Sequence, residues 1–346
     1  MHEPLLEFIK HHYNSEAAQS LELLSGGGSS RKYFRFLSQG NSFIVTLNNN
    51  IEENQAFIYF ANHFSKILPN IPQIIHVSND ETMYIQNDLG NISMIDCVLN
   101  DKEKAKPIYK KAIQQLAKLQ ILGDENLDYS RCFSYPKFNH LLVLRDLFSC
   151  KNYFINLVEI PFNQAKLLSD FERFAHDFEQ LKFQHFVYRD FQTRNIMLVE
   201  NEPFFIDFQG GLKGPIQYDL VSILWQAKVN LSHEWKSELY DIYLTEIQKY
   251  LPQPIDKLEF QKGYEFCVVE RLLQVLGAYG FRGIYEGKKH FIESIEFALK
   301  NLSEIQNFTI LNNYPELKKV IIELSQNHTF IKIKQIIDER QITHQR

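Results

Sequence analysis

The stretch "FVYRDFQTRNIMLVENEPFFIDFQGG", residues 186–211, sets two acids and an amide, Asp190, Asn195 and Asp207, beside apolar runs such as "NIMLV" and "FFID" that read as strand. Carboxylates beside buried strands are costly unless a metal, a donor or a substrate meets them. Alone, the spacing from Asp190 to Asn195 is weak evidence, because it recurs by chance and a loop acid or a helix cap accounts for it as well. Asp207 changes the weighing. It ends one apolar run and precedes the turn "FQGG", and its interval from Asn195 suits a hairpin that returns the chain beside its start. Two acids and an amide then converge on one pocket as hard oxygen ligands of the kind Mg²⁺ takes.

The elements that must position them follow from periodicity. After an amphipathic helix in "MHEPLLEFIKHHYNSE", the loop "GGGSS" at residues 26–30 lies between short segments of strand character, including "KYFRF" and "SFIVTL". "IEENQAFIYFANHFSKIL" has helical spacing, and "QIIHVS" and "TMYIQN" read as two further strands. Residues 1–86 therefore form a small β-rich lobe, with a turn-rich hinge at 87–91. Residues 92–330 form a larger, mainly helical lobe that carries the quoted stretch as an insertion, and 331–346 is a polar tail expected to be poorly ordered. The fold class is α+β. No internal repeat or low-complexity segment interrupts it.

Composition narrows the function. A chain of 346 residues with 45% hydrophobic and 23% charged residues is ordinary for a globular protein with ample core. Its formal charge of −5 offers no basic excess to neutralise a nucleic-acid backbone. The four cysteines, Cys97, Cys132, Cys150 and Cys267, form no CxxC pair and read as reduced residues of a cytoplasmic protein. The N-terminus lacks the apolar core of a signal peptide. No apolar run approaches the roughly 20 residues of a membrane helix, so neither a membrane nor a nucleic-acid partner is expected. Protein partners are left open.

The quoted residues resemble a known family. "YRDFQTRN" is similar to the protein-kinase catalytic loop H-R-D-x-x-x-x-N, and "IDFQ" to the D-F-G element that follows it. The resemblance is closer to the aminoglycoside phosphotransferase and choline kinase group. Within that group, "IDFQGGLKGPIQYDLVSIL", "RLLQVLGAYGFRG" and "GGGSSRKYFRF" resemble the bacterial cell-wall amino-sugar kinases, which phosphorylate N-acetylmuramate and N-acetylglucosamine at the anomeric hydroxyl. It spans about residues 20 to 300 in the family's order. It implies a two-lobed, protein-kinase-like fold and an ATP-dependent, Mg²⁺-requiring phosphotransferase acting on a sugar or amino-sugar hydroxyl.

Roles follow from the chemistry of phosphoryl transfer, which is mostly positioning and charge neutralisation. Asp190 would orient the acceptor hydroxyl and take its proton; Arg194, next to Asn195 on the loop, could stabilise developing charge or equally pair with a surface acid. Asn195 and Asp207 would hold Mg²⁺. Gly27, Gly28, Ser29 and Ser30 would bring backbone N–H groups and hydroxyls to the phosphates, although a plain hairpin turn explains the same residues. The segment Gln86 to Asp88 would present backbone to an adenine edge. Asp219 resembles the acid that braces the catalytic loop in this fold, while Arg145 and Asp146 read more simply as solvated helix residues, and Arg271 has the better claim of the three because it falls in a segment resembling the family. Two departures stand out. Tyr188 takes the place of the usual histidine, and "SFIVTLN" lacks the lysine of V-A-I-K, a charge that Lys32 or Arg35 on the preceding strand could supply. The competing readings are a nucleotide-binding pseudokinase regulator, and a kinase of an aminoglycoside or an amino alcohol. Intact Asp190, Asn195 and Asp207 argue against the first, and the lack of clustered acids to meet several ammonium groups argues against an aminoglycoside.

Overall fold

Alternation along "KYFRFLS" explains how the sheet forms and which side of it is buried. The computed structural model describes residues 3–24 and 31–344, with side chains as far as residue 339. By packing, the chain divides into two compact units, Met1–Pro136 with Tyr188–Leu212 and Lys137–Val187 with Lys213–Arg346.

In the first unit, helix α1 (Glu3–His12) precedes strands β1 (Glu22–Leu23), β2 (Lys32–Ser38) and β3 (Asn41–Leu47). Helix α2 (Ile51–Phe64), strands β4 (Ile74–Val77) and β5 (Met83–Asn87), and helices α3 (Met94–Asn100) and α4 (Lys102–Leu122) follow. The five strands make one antiparallel sheet in the order β1-β2-β3-β5-β4. The β2–β3 connection is a two-residue turn at Gln39 and Gly40, both with positive φ (50° and 79°), which matches the twist of the flanking strands. Phe34 and Phe36 of β2 bury with Val45, Ile85 and the α1 residues Leu5, Phe8 and Ile9. Each such side chain stabilises the unit by about 1.5–3 kcal/mol. Even-numbered residues of β2 therefore face α1, and odd-numbered ones face the other way. Helix α2 starts at Asn50, whose side chain accepts a hydrogen bond from the Glu53 amide at 3.3 Å.

The chain continues with α5 (His140–Cys150), α6 (Gln164–Glu179), β6 (Gln184–Val187), the hairpin β7 (Ile196–Val199) and β8 (Glu202–Phe205), and β9 (Leu212–Pro215), which pairs with β6. The hairpin β7–β8 belongs to the first unit. There the Leu198 amide donates to the Ile92 carbonyl at 2.8 Å and the Phe205 amide to that of Asn70 at 3.0 Å.

The second unit is otherwise helical: α7 (Gln217–Leu224), α8 (His233–Gln248), α9 (Lys257–Ala278), α10 (Lys289–Glu304), α11 (Pro315–Leu324) and α12 (Asn327–His344) join α5 and α6. Helix α9 is its spine, buried along most of its length from Phe260 to Gly277. Buried Asp170 of α6 caps α11 from outside, accepting from the amides of Glu316 at 2.8 Å and Leu317 at 3.0 Å. The α+β class is as expected, with a small sheet followed by a larger, mainly helical part. Helix α12 runs to His344, with Ile333 buried and Lys332 paired with Glu159 at 2.6 Å.

The family-like segment "GAYG" has a packing cause. A Cβ on Gly280 would lie 2.1 Å from the Tyr153 carbonyl oxygen, and one on Gly277 would lie 2.8 Å from the Cys150 amide. Both contacts are with backbone, which cannot rotate away. Gly280→Ala is expected to destabilise the protein by about 1–3 kcal/mol, read as a lower melting temperature by calorimetry. An unchanged transition would show that the crossing near Tyr153 can relax.

Candidate active site

The site is built on the open end of the β7–β8 hairpin. Ile196 faces Phe205 in the ladder, the turn takes positive φ at Glu200 (52°) and Asn201 (65°), and the Ile206 amide donates to the Asn195 carbonyl at 3.0 Å. Asn195 and Asp207 thus flank the same end of the hairpin, as the interval between them implied. Asp207 and Arg189 both adopt left-handed backbone, with φ of 68° and 74°. Such conformations cost non-glycine residues about 1–2 kcal/mol each, so packing must hold them.

Aromatic packing does so. Phe208 is fully buried and stacks on Phe57 of α2, with centroids 4.7 Å apart and planes 7° apart. Phe57 stacks in turn on Tyr84 of β5 at 5.3 Å, and Phe208 meets Tyr188 edge-on at 6.0 Å. The Tyr188 hydroxyl donates to the Ile206 carbonyl, next to Asp207. A column of four rings therefore ties β5 and α2 to both ends of the acidic stretch. Tyr188 thus contributes both ring packing and a hydrogen bond beside Asp207.

Asp190 is oriented by its own loop. Gln192 Nε2 donates to its Oδ1, and Arg194 Nη2 donates to its Oδ2 at 3.2 Å. Asn195 Nδ2 donates to the Asp190 backbone carbonyl at 2.8 Å and to Oδ2 at 3.3 Å. The Asn195 amide nitrogen is thereby committed to the loop, which leaves its Oδ1 as the atom able to ligate a cation. The Asp190 side chain is 36% exposed, open enough for an acceptor to reach.

Asp207 meets a charge that no local sequence pattern singles out. Arg31 Nη2 donates to Asp207 Oδ1 at 2.5 Å, and Arg31 Nε lies 3.6 Å from Glu53 Oε1 in the first turn of α2. Gln209 Nε2 donates to the same Oδ1 at 2.9 Å. Burial opposes the charge on Arg31, but Tyr33, Asp207 and Tyr84 outweigh it and hold its pKa above the ordinary value. Strand parity was the available signal: Arg31 extends the odd-numbered face of β2, opposite the face toward α1.

The other expected residues fall into place differently. Lys32, on the α1 side, lines a groove with Pro4, Leu5 and Asp80. Arg35 donates to Asp88 through Nε at 2.5 Å and Nη2 at 2.9 Å. Asp88 also accepts from Ser42 Oγ at 2.6 Å and the Gly90 amide at 2.8 Å. Burial raises its pKa, yet these donors outweigh burial and leave it below the usual carboxylate range. The Asp88 side chain thus braces residues 87–90, and Gln86 lies in β5 between Ile44 and Ile74. Gly27, Gly28, Ser29 and Ser30 lie outside the described residues.

In the second unit, Asp219 is fully buried in the first turn of α7. Arg145 donates to Asp146 at 2.7 Å, and buried Arg271 donates to the Tyr218 hydroxyl at 3.2 Å and to Gln274 at 2.9 Å. His140, His176 and Glu179 also bring ligating atoms within 4.8 Å of one another there, but Lys137 already lies 3.7 Å from Glu179.

Comparison with known proteins bears on this geometry. The model of the "Phosphotransferase enzyme family" matches residues 20–253. The chain is 27% identical over 281 residues to the N-acetylmuramate/N-acetylglucosamine kinase of Neisseria meningitidis serogroup B (strain ATCC BAA-335 / MC58), covering 80% of this chain and 82% of that protein. Its fold is similar to the GDP and kanamycin complex of APH(2")-IIia, with a TM-score of 0.60, 14% identity, and coverage of 88% of this chain and 99% of that one. It is also similar to the amicoumacin kinase hAmiN in complex with AMP-PNP, Ca²⁺ and Ami, with a TM-score of 0.55, 10% identity, and coverage of 76% and 81%.

Proposed function

Because this chain belongs to the phosphotransferase enzyme family and is a small-molecule kinase with a hydroxyl acceptor, we propose that it moves the γ-phosphoryl group of ATP to an N-acetylated amino sugar. The observation that carries this reading is the convergence of Asp190, Asn195 and Asp207 on one loop and hairpin. The similarity to the N-acetylmuramate/N-acetylglucosamine kinase supports the acceptor class.

Asp190 accepts the proton of the acceptor hydroxyl as that oxygen bonds to the γ-phosphorus, and the β–γ bridging oxygen leaves with its electron pair on ADP. Gln192 and Asn195 hold the Asp190 carboxylate in register for that transfer, and Arg194 stabilises charge beside it. A carboxylate and an amide oxygen form a hard donor set that fits Mg²⁺, so Asn195 Oδ1 and Asp207 would hold it, and when bound it offsets charge on the phosphates. The segment 26–30 meets the phosphates, and the backbone of Gln86 to Asp88 meets the adenine edge. In this reading Lys32 and Arg35 have no direct part: one faces the α1 groove and the other serves Asp88. Residues 1–86 and 92–330 act as lobes about a hinge at 87–91. Among the described residues no helix is long and apolar enough to cross a membrane. The reading puts the reaction in the cytoplasm, where ATP is supplied and free cysteines such as Cys97 and Cys132 stay reduced.

The test is ³¹P NMR of the protein with Mg-ATP and, in turn, N-acetylglucosamine, N-acetylmuramate, kanamycin and choline. A new sugar-phosphate resonance split by the anomeric proton is expected with the amino sugars. Phosphorylation of kanamycin or choline alone would overturn the acceptor class. ATP left intact with every acceptor would favour a nucleotide-binding regulator.

A further inference from the structure

We propose that Arg31 couples nucleotide to metal in this site: it neutralises Asp207 while phosphate is absent, and it holds phosphate oxygens once nucleotide arrives. The inference rests on the phosphotransferase reading above.

Three observations lead to it. Arg31 immediately precedes β2 and follows the glycine-serine segment 26–30 in sequence. It is 7% exposed and lies between two carboxylates, Asp207 at 2.5 Å and Glu53 at 3.6 Å. A cation this buried needs partners, and two acids around one guanidinium leave an excess negative charge for a further cation to meet. Both donors to Asp207, Arg31 and Gln209, use Oδ1, and among the described residues neither takes Oδ2. An ion can therefore approach Oδ2, but alone it faces a positive charge already in place. With phosphates it does not, because their negative charge is shared between the ion and Arg31. A planar five-donor fork can hold a carboxylate and a phosphate oxygen together, which a point-like ammonium cannot match. Arg31 thus favours the ion and the nucleotide arriving together over the ion alone. In β3, which lacks the lysine of V-A-I-K, Thr46 is fully buried, and the charge comes from Arg31, just before the neighbouring strand.

The test uses Arg31→Met and Arg31→Lys in the full chain. Mn²⁺ binding without nucleotide is followed by electron paramagnetic resonance, and ATP binding by calorimetry with Mg²⁺ and with EDTA. Arg31→Met is expected to bind Mn²⁺ alone several-fold tighter and metal-free ATP about tenfold weaker. Opposite shifts are the signature, because a merely structural loss would weaken both. Arg31→Lys, which keeps the charge and loses the fork, is expected to bind Mn²⁺ like the wild type and ATP more weakly. Mn²⁺ affinity unchanged or lower in Arg31→Met overturns the proposal. So does ATP affinity at the wild-type level in either variant. If Arg31→Met does not fold, Arg31→Lys decides, and wild-type ATP affinity there overturns the proposal. A wild-type protein that binds no nucleotide overturns the kinase reading instead, and the Mn²⁺ comparison still judges Arg31 by itself.

Discussion

Asp190→Asn is expected to slow phosphoryl transfer by about 10²–10⁴-fold while leaving ATP affinity within a few-fold of the wild type. The amide has nearly the shape of the carboxylate but cannot accept the hydroxyl proton at neutral pH. The substitution also disturbs a set of donors. Gln192, Arg194 and Asn195 all point hydrogens at the Asp190 carboxylate, and the amide NH₂ must face one of them. That mismatch is local to the loop and costs about 1–3 kcal/mol of stability. Single-turnover rates with saturating Mg-ATP, set beside ATP titrations, separate the two effects. A variant within tenfold of the wild-type rate would remove Asp190 as the proton acceptor. A parallel collapse of ATP affinity would recast it as a residue that shapes the nucleotide site.

Asp207→Asn is expected to abolish the tightening of ATP by Mg²⁺ and to cost several kcal/mol of transition-state stabilisation, about 10²–10⁴-fold in rate. Asparagine is the informative choice because of the backbone. At φ 68° Asp207 lies in the left-handed region, which asparagine visits more readily than other L-residues, so the variant changes charge with little added strain. Asp207→Ala would mix loss of the ligand with backbone strain. The column of Phe208, Phe57 and Tyr84 stays intact in the asparagine variant, so the hairpin end keeps its place. The measurement is the Mg²⁺ dependence of ATP affinity and of rate. If both dependences persist unchanged, Asp207 does not hold the ion. Arg31 adds a directional check: with its charged partner gone, metal-free ATP is expected to bind no worse than in the wild type.

Much of this site is legible in the amino-acid sequence. The interval from Asn195 to Asp207, with apolar runs on either side, suits a hairpin, and the hairpin is there with a two-residue turn of positive φ. The strands in "KYFRF", "SFIVTL" and "TMYIQN" and the helix of "IEENQAFIYFANHF" are equally readable. Each rests on periodicity within a few residues, which short-range backbone sterics and side-chain alternation control.

The charge partners are not legible there. Arg31 reaches Asp207 across a separation of 176 residues, and Arg35 reaches Asp88 across 53. No local pattern ranks Lys32, Arg35 and Arg31 for the place beside Asp207. Which face of β2 turns toward the acid, and where α2 sets Glu53, decide among them. Likewise, the polarity of the chain after residue 330 gives no sign that Ile333 is buried or that Lys332 pairs with Glu159. The elements and the three chemical groups can be read from the linear chain, because they depend on near neighbours within it. Which cation faces Asp207, and what Asp88 is for, emerge only on folding, because a buried charge takes its partner from whatever packing brings within reach.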